Sequence, residues 1–156
     1  TARDLRLVMA ISRIVTDLER IGDKASKIAR MSKKLHQAGG QRIPRLSDVH
    51  HCGRLANDML QGSLDSLARM DVDAARQVIG ADKAIDAAFN AILRQLITYM
   101  MEDPRTISEA LDIIWIAKAI ERVGDHATNI AENVIYVVGG VDIRHSAPAA
   151  SKADGA

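Results

Sequence analysis

The sequence predicts an all-α fold: an antiparallel three-helix bundle plus one long helix left from a preceding repeat. Three observations predict it. Apolar residues at 113, 116, 120, 123, 127, 130, 134 and 137 alternate spacings of three and four, which is the seam of a long amphipathic helix. The stretch around that seam is written twice. Ile14-Val15-Thr16-Asp17-Leu18-Glu19-Arg20-Ile21-Gly22-Asp23 aligns without a gap on Ile116-Ala117-Lys118-Ala119-Ile120-Glu121-Arg122-Val123-Gly124-Asp125, at a constant offset of 102 residues. An internal repeat of this kind fixes architecture ahead of other signals. Finally, apolar residues make up 47% of the chain but aromatic ones only 3%, a composition suited to close helix packing rather than a β-sandwich.

The elements follow in order. Residues 1–38 read as one helix, roughly 55 Å long at 1.5 Å per residue, stopped by Gly39-Gly40. Residues 39–46, with Pro44, form a linker. Ser47 or Asp48 is the expected cap of a second helix, whose apolar positions are 49, 52, 56, 59, 60, 64, 67 and 70. Asp71 and Asp73 flank a short break. A third helix runs from about 73 to 101, with Val78, Ile79, Ile85, Phe89, Ile92, Leu93, Leu96 and Ile97 as its core face. Asp103-Pro104 marks the next helix start, with Asp as cap and Pro at the first position. The fourth helix runs to Gly139-Gly140. Residues 47–140 thus form a complete three-helix repeat, and 141–156 a flexible Ala- and Ser-rich tail. The first helix matches the fourth, so it is the last helix of an incomplete first repeat. The repeat pattern leads one to expect about 60 further residues before Thr1.

The orphan helix carries a seam of Leu7, Ile11, Ile14, Leu18, Ile21, Ala25, Ile28 and Leu35. Leaving it in water forfeits roughly 1.5–3 kcal/mol per large side chain. The expectation is that it pairs with the same helix of a second copy, giving a homodimer or higher even oligomer through residues 7–35, rather than folding back.

Composition excludes several classes. Lys+Arg 21 against Asp+Glu 20 leaves a net charge of +1, without the basic excess of a nucleic-acid footprint. The single cysteine, Cys52, excludes an internal disulfide framework and a thiolate metal cluster, and reads as a small buried residue. The longest apolar run, Ile113 to Ile120, is broken by Lys118 and falls short of a membrane span. With no signal peptide visible, a cytoplasmic location is expected. No Ser/His/Asp set, phosphate-cradling glycine loop or cysteine nucleophile is recognisable.

The chemistry lies in paired carboxylates. One position round from the fourth helix's seam run Glu121, Asp125, Thr128 and Glu132. Three acids on one stripe repel each other, and a bound cation removes the repulsion. The third helix adds Asp82 and Asp86, again spaced i, i+4. Read alone, that pair is a solvated helix face. Facing Glu121 and Asp125 across neighbouring antiparallel helices, it supplies hard oxygen ligands for Mg²⁺, Mn²⁺, Ca²⁺ or iron. The expected site is therefore Asp82, Asp86, Glu121 and Asp125, with Glu132 as an extra ligand. The repeat supplies a second candidate motif in Glu19 and Asp23. Gly22 and Gly124 each cost about 1 kcal/mol in mid-helix, which implies close helix approach or an uncovered face. Arg20 and Arg122 are read as pairing with acids across the bundle. His126 reads as a surface or packing residue rather than a ligand, and Trp115, Met100 and Met101 as core.

Glu121-Arg122-Val123-Gly124-Asp125-His126-Ala127-Thr128-Asn129-Ile130-Ala131-Glu132, followed by Asn133-Val134-Ile135-Tyr136 and Gly140-Val141-Asp142-Ile143-Arg144-His145, resembles the end of the PhoU family of bacterial phosphate-transport regulators. Residues 3–30 resemble the end of that family's first repeat. The resemblance implies tandem three-helix bundles and a cytoplasmic protein without enzymatic activity. It implies an adaptor between the phosphate ABC transporter and the sensor histidine kinase of the phosphate regulon, holding the regulon off when phosphate is ample. It also implies metal binding (iron, magnesium or manganese) through the acidic i, i+4 motifs. Lys24, Lys27 and Arg30 depart from the family's pattern beside Glu19 and Asp23. Two rival readings remain: a structural helical interaction module without metal, and a di-metal carboxylate protein. The latter class uses Glu-x-x-His, and no Glu here is followed three residues later by His.

Overall fold

The structure, a computed structural model, describes residues 1–44 and 46–140. It is built from four helices: α1 (Ala2–Gln37), α2 (Ser47–Arg69), α3 (Val72–Glu102) and α4 (Ile107–Gly139), the last entered through one 3-10 turn at Pro104–Thr106. Among the described residues there is no strand. The expected tail at 141–156 lies outside them, as does the 141–145 part of the family resemblance.

Helices α2, α3 and α4 form an antiparallel bundle. Tight connections set its topology. Met70 takes a left-handed conformation (φ 49°) and Asp71 caps α3 by accepting from the Ala74 N–H at 3.0 Å. Asp103 accepts from the Arg105 N–H at 3.0 Å and starts the turn into α4. The core is aliphatic, centred on Cys52, Met59, Val78, Ile85, Ile92, Leu96, Ile116, Ile120, Ala127 and Val134. Fully buried side chains such as Ile85 and Leu96 contribute roughly 1.5–3 kcal/mol each. Cys52 is wholly buried, as its type implies.

Some expected positions differ. Neither Ser47 nor Asp48 caps α2. The cap is Leu46, with no side-chain hydrogen bond, because Leu46 packs against the core and that packing decides where the helix begins. Trp115 is 52% exposed and Met101 80%, so neither is core. Both lie on the solvent side of α4 and α3, whose inner faces are already filled by small and branched aliphatics.

The largest correction concerns α1. It folds back antiparallel along α4 of the same chain instead of leaving its seam for a second copy. The chain turns at Gly39 and Gly40, whose φ of 62° and 68° suit residues without a Cβ. The Glu109 carboxylate then accepts from the backbone N–H groups of Arg42 (3.0 Å) and Ile43 (3.3 Å), pinning the connection to the start of α4. Lys34 Nζ reaches Asp112 Oδ1 at 3.1 Å. The buried face of α1 is Ala10, Ile14, Asp17 and Ile21, not the predicted line through Ile11 and Leu18. Ile11, Val15 and Leu18 stay exposed, although their repeat counterparts Ile113, Ala117 and Ile120 pack into the core. The two copies of the repeat share a sequence but not an environment: α4 has neighbours on several sides, α1 on one.

Candidate metal centre

Two acidic pairs meet where α3 lies against α4. Asp82 and Asp86 sit one turn apart on α3, with the wholly buried Ile85 between them. Glu121 and Asp125 sit one turn apart on α4, with Gly124 between them. A Cβ on Gly124 would stand 2.9 Å from Ile85 Cδ1, closer than real packing allows. The missing side chain therefore lets the helices approach at the level of the four carboxylates. Gly22, its repeat counterpart, has nothing within 4 Å of that position. Of the two explanations for these glycines, close approach holds for Gly124 and the uncovered face for Gly22.

The electrostatics are those of neighbouring acids. Burial pushes the Asp125 carboxyl up to about 6, and the charges of Glu121 and then Asp82 push the same way. Burial likewise raises Asp82, helped by Asp86 and Glu121. Asp82 Oδ1 is buried and has no hydrogen-bond partner. Lys118 Nζ stands 2.8 Å from Glu121 Oε2, an ion-pair contact outside hydrogen-bond geometry. On the inner side lies Cys52, whose thiol is pushed up to about 11 by burial and by Glu121. It offers no thiolate at neutral pH.

The donor set fits a hard divalent cation: oxygen ligands with unspent negative charge and one orphaned buried oxygen. As the side chains stand, no three His, Cys, Asp or Glu among the described residues converge tightly enough to hold an ion. The arrangement supplies negative charge at the α3–α4 contact, with Asp86 exposed and Asp125 half-buried. Glu132 is half-buried on α4, seven residues beyond Asp125 and hence about 10 Å along the axis. Glu19 and Asp23 are exposed on α1, away from the four carboxylates. Of the cations beside them, Lys27 rests over the Trp115 ring, 4.7 Å from its centroid.

Sequence reasoning missed Asp17. It is 6% exposed and sits in the α1–α4 seam. Its Oδ1 lies 2.9 Å from His126 Nδ1 and accepts from Asn129 Nδ2 at 3.3 Å. Asn133 Nδ2 in turn donates to the Asn129 carbonyl at 2.9 Å. His126 is thereby committed to packing against α1. A signal was present: an aspartate between Ile14 and Ile21 at helical seam spacing needs a buried partner.

No helix of the described residues is long and apolar enough to cross a membrane.

Comparison with known proteins bears on the family and the fold. A family model described as the PhoU domain matches residues 1–32 and 49–134. The chain is 52% identical over 150 residues to a phosphate-specific transport system accessory protein PhoU homolog from a Burkholderia species, covering 94% of this chain and 63% of the relative. It is 47% identical over 145 residues to the phosphate-specific transport system accessory protein PhoU of Escherichia coli, covering 93% and 59%. The crystal structure of PhoU from Pseudomonas aeruginosa superposes with a TM-score of 0.85 at 51% identity, over 90% of this chain and 67% of that one. That of the phosphate transport system regulatory protein PhoU from Streptococcus pneumoniae gives 0.80 at 27% identity, over 91% and 66%. The chain spans about six-tenths of the length of the curated relatives it matches.

Proposed function

The chain belongs to the PhoU domain family, and from that premise we propose that it regulates phosphate uptake and phosphate-regulon signalling as a metal-binding adaptor in the cytoplasm. Its partners on this reading are the phosphate ABC transporter and the phosphate sensor histidine kinase. It acts by binding rather than by catalysis. The observation that carries the role is the 47–52% identity to proteins named as phosphate-specific transport system accessory proteins. Deleting the encoding gene should raise phosphate-regulon expression when phosphate is abundant. Expression that stays repressed would overturn the role while leaving the fold untouched.

The metal part of the reading rests on the acidic pairs at the α3–α4 contact. Asp82, Asp86, Glu121 and Asp125 would hold the ion, with iron, manganese and magnesium as the candidates and Glu132 as an added ligand. The chemistry it supplies is charge: it neutralises carboxylates that otherwise push α3 and α4 apart, and so ties the two helices together. That couples metal occupancy to the shape of the bundle surface offered to a partner. Elemental analysis of protein supplied with these ions is the test. Absence of metal, together with full thermal stability of an Asp86→Ala/Asp125→Ala double variant, would favour the rival reading of a structural helical module without metal. The di-metal carboxylate protein is disfavoured because no Glu-x-x-His is present.

A further inference from the structure

We propose that α1 is a hinged strap: it swings off α4 as a unit while α2, α3 and α4 stay folded, and so covers or uncovers the row of α4 that it lies along. The inference does not depend on a metal.

Three observations carry it. The first is where the core lies. The buried members of the main core come from α2, α3, α4 and Ile43 of the connection, and none from α1. Ile14 and Ile21 of α1 gather instead round Ile130 in a small cluster of their own. Ile28, Met31 and Leu35 touch the main core but stay half-buried. Among the described residues, α4 is the one helix whose backbone lies against α1. On the α2 side a groove of about 650 Å³ separates Ile28 and Ser32 of α1 from His50 and Arg54 of α2, with Ile116 and Ile120 at its floor. A segment with few buried apolar contacts and one neighbour opens ahead of global unfolding.

The second is the chemistry of the seam. Asn133, seven residues on from His126 and so on the same face of α4, is 2% exposed, and its Oδ1 has no hydrogen-bond partner. The Arg13 guanidinium lies 5.5 Å from the centroid of the Tyr136 ring, and its buried Nη1 has no partner. Arg6 lies against Gly140 with its buried Nε in the same condition. Each group is dehydrated while α1 is docked and returns to water when it lifts, which offsets part of the apolar burial lost on opening. Orphaned oxygens of Asp82 and Glu121 also lie on α3 and α4, but there α3 buries Ile85, Ile92 and Leu96 completely.

The third is where the ties are. Lys34 to Asp112, and Glu109 to the N–H groups of Arg42 and Ile43, all lie near the turn at Gly39 and Gly40. That end of α1 is fastened, while residues 6–17 carry the orphaned guanidinium groups and the buried acid. Opening bares Val123, His126, Asn129 and Ile130 of α4. A partner that binds the open and closed forms unequally shifts the population between them, which makes the strap a regulatory element.

The test is native-state hydrogen exchange read by mass spectrometry on the purified chain, at denaturant concentrations well below global unfolding, for the parent, Asp17→Ala and Arg13→Met. In the parent, amides of residues 10–21 should exchange at least about tenfold faster than those of α3 around Ile85, through one shared opening of small denaturant dependence. Asp17→Ala removes the acid that His126 and Asn129 share and should speed α1 exchange by roughly tenfold. Arg13→Met keeps the stem and removes the orphaned nitrogen. A cation–π contact is worth less than a buried orphan costs, so this variant should slow α1 exchange. Neither variant should move α3. Equal protection and equal denaturant dependence in α1 and α3 overturn the strap, as does an Asp17→Ala effect shared by all four helices. Exchange of α1 unchanged or faster in Arg13→Met overturns the seam as the weak layer, and the proposal with it.

Discussion

Replacing Asp125 by Asn should make the metal-free protein more stable. Asp125 is half-buried on α4 and its carboxyl is raised from 3.8 to about 6, by burial first and then by Glu121 and Asp82. The sign follows from proton linkage. Between about pH 4 and 6 the folded chain holds this proton more tightly than the unfolded chain, so stability is greatest at low pH and falls as pH rises through the folded value. By pH 7 the folded protein carries a charge it disfavours. Fully shielded, that separation would cost about 3 kcal/mol. Asp125 is partly open to water, and screening brings the cost nearer to about 1 kcal/mol. Asn keeps the shape and removes the charge, so at pH 7 in chelator Asp125→Asn should melt about 3 °C above the parent for a chain of this size. The gap should close as pH falls to 5, because the parent then carries the proton itself. Adding manganese should reverse the order, since only the parent keeps its full ligand set. Thermal melts at pH 5 and pH 7, with chelator and with metal, read all of this. A variant that melts below the parent at pH 7 in chelator, or a gap indifferent to pH, would refute the reasoning.

The two repeat glycines should respond with opposite signs. Gly22→Ala meets open space and should stabilise this chain by up to about 1 kcal/mol, whereas Gly124→Ala drives a methyl against Ile85 and should lose more to overpacking, about 1–3 kcal/mol, than it gains in helix propensity. Denaturant unfolding that gives both the same sign would contradict the packing argument. Asp17→Ala strips His126 and Asn129 of their buried partner, should cost about 1–3 kcal/mol, and should speed proteolysis in the 38–46 connection; an unchanged cleavage rate would mean that α1 is held by other contacts. The exposed stripe of Ile11, Val15 and Leu18 is where α1 can still pair with a second copy. Light scattering should report a dimer that Ile11→Glu/Leu18→Glu splits without loss of helix, and a monomeric parent would remove this pairing.

Most of the helical architecture was written in periodicity. Ile116, Ile120, Ala127, Ile130, Val134 and Val137 of the predicted α4 seam are all buried, because α4 is surrounded and its pattern has one solution. The same pattern misled for α1. A helix with apolar residues at both seam and flank can turn either face to a single neighbour, and periodicity does not choose between them. The choice fell to Asp17 and its partners 109 and 112 residues away, and to Glu109 closing the 38–44 connection. Trp115 and Met101 show the other limit: residue type says what burial is worth, not whether room exists inside.

The acidic pairs were legible for a reason that also explains why they stand out in the structure. Most features of α3 and α4 serve stability: aliphatic seams, caps at Asp71 and Asp103, small residues where helices cross. The acidic pairs do not, since burial and the neighbouring acids raise the proton affinity of Asp82 and Asp125 and a buried oxygen of Asp82 has no partner. Gly124 leaves room for the Ile85 side chain, which sits between the two aspartates of α3 and would meet a Cβ there at 2.9 Å. A cation bound between the pairs, as proposed above, would relieve that conflict. The matching glycine in α1, with open space above it and exposed acids beside it, has the sequence of such a site without its surroundings. Conflict with stability is therefore what separates the α3–α4 pairs from the many acidic i, i+4 pairs that are only solvated surface, and it depends on the neighbouring helix more than on the motif.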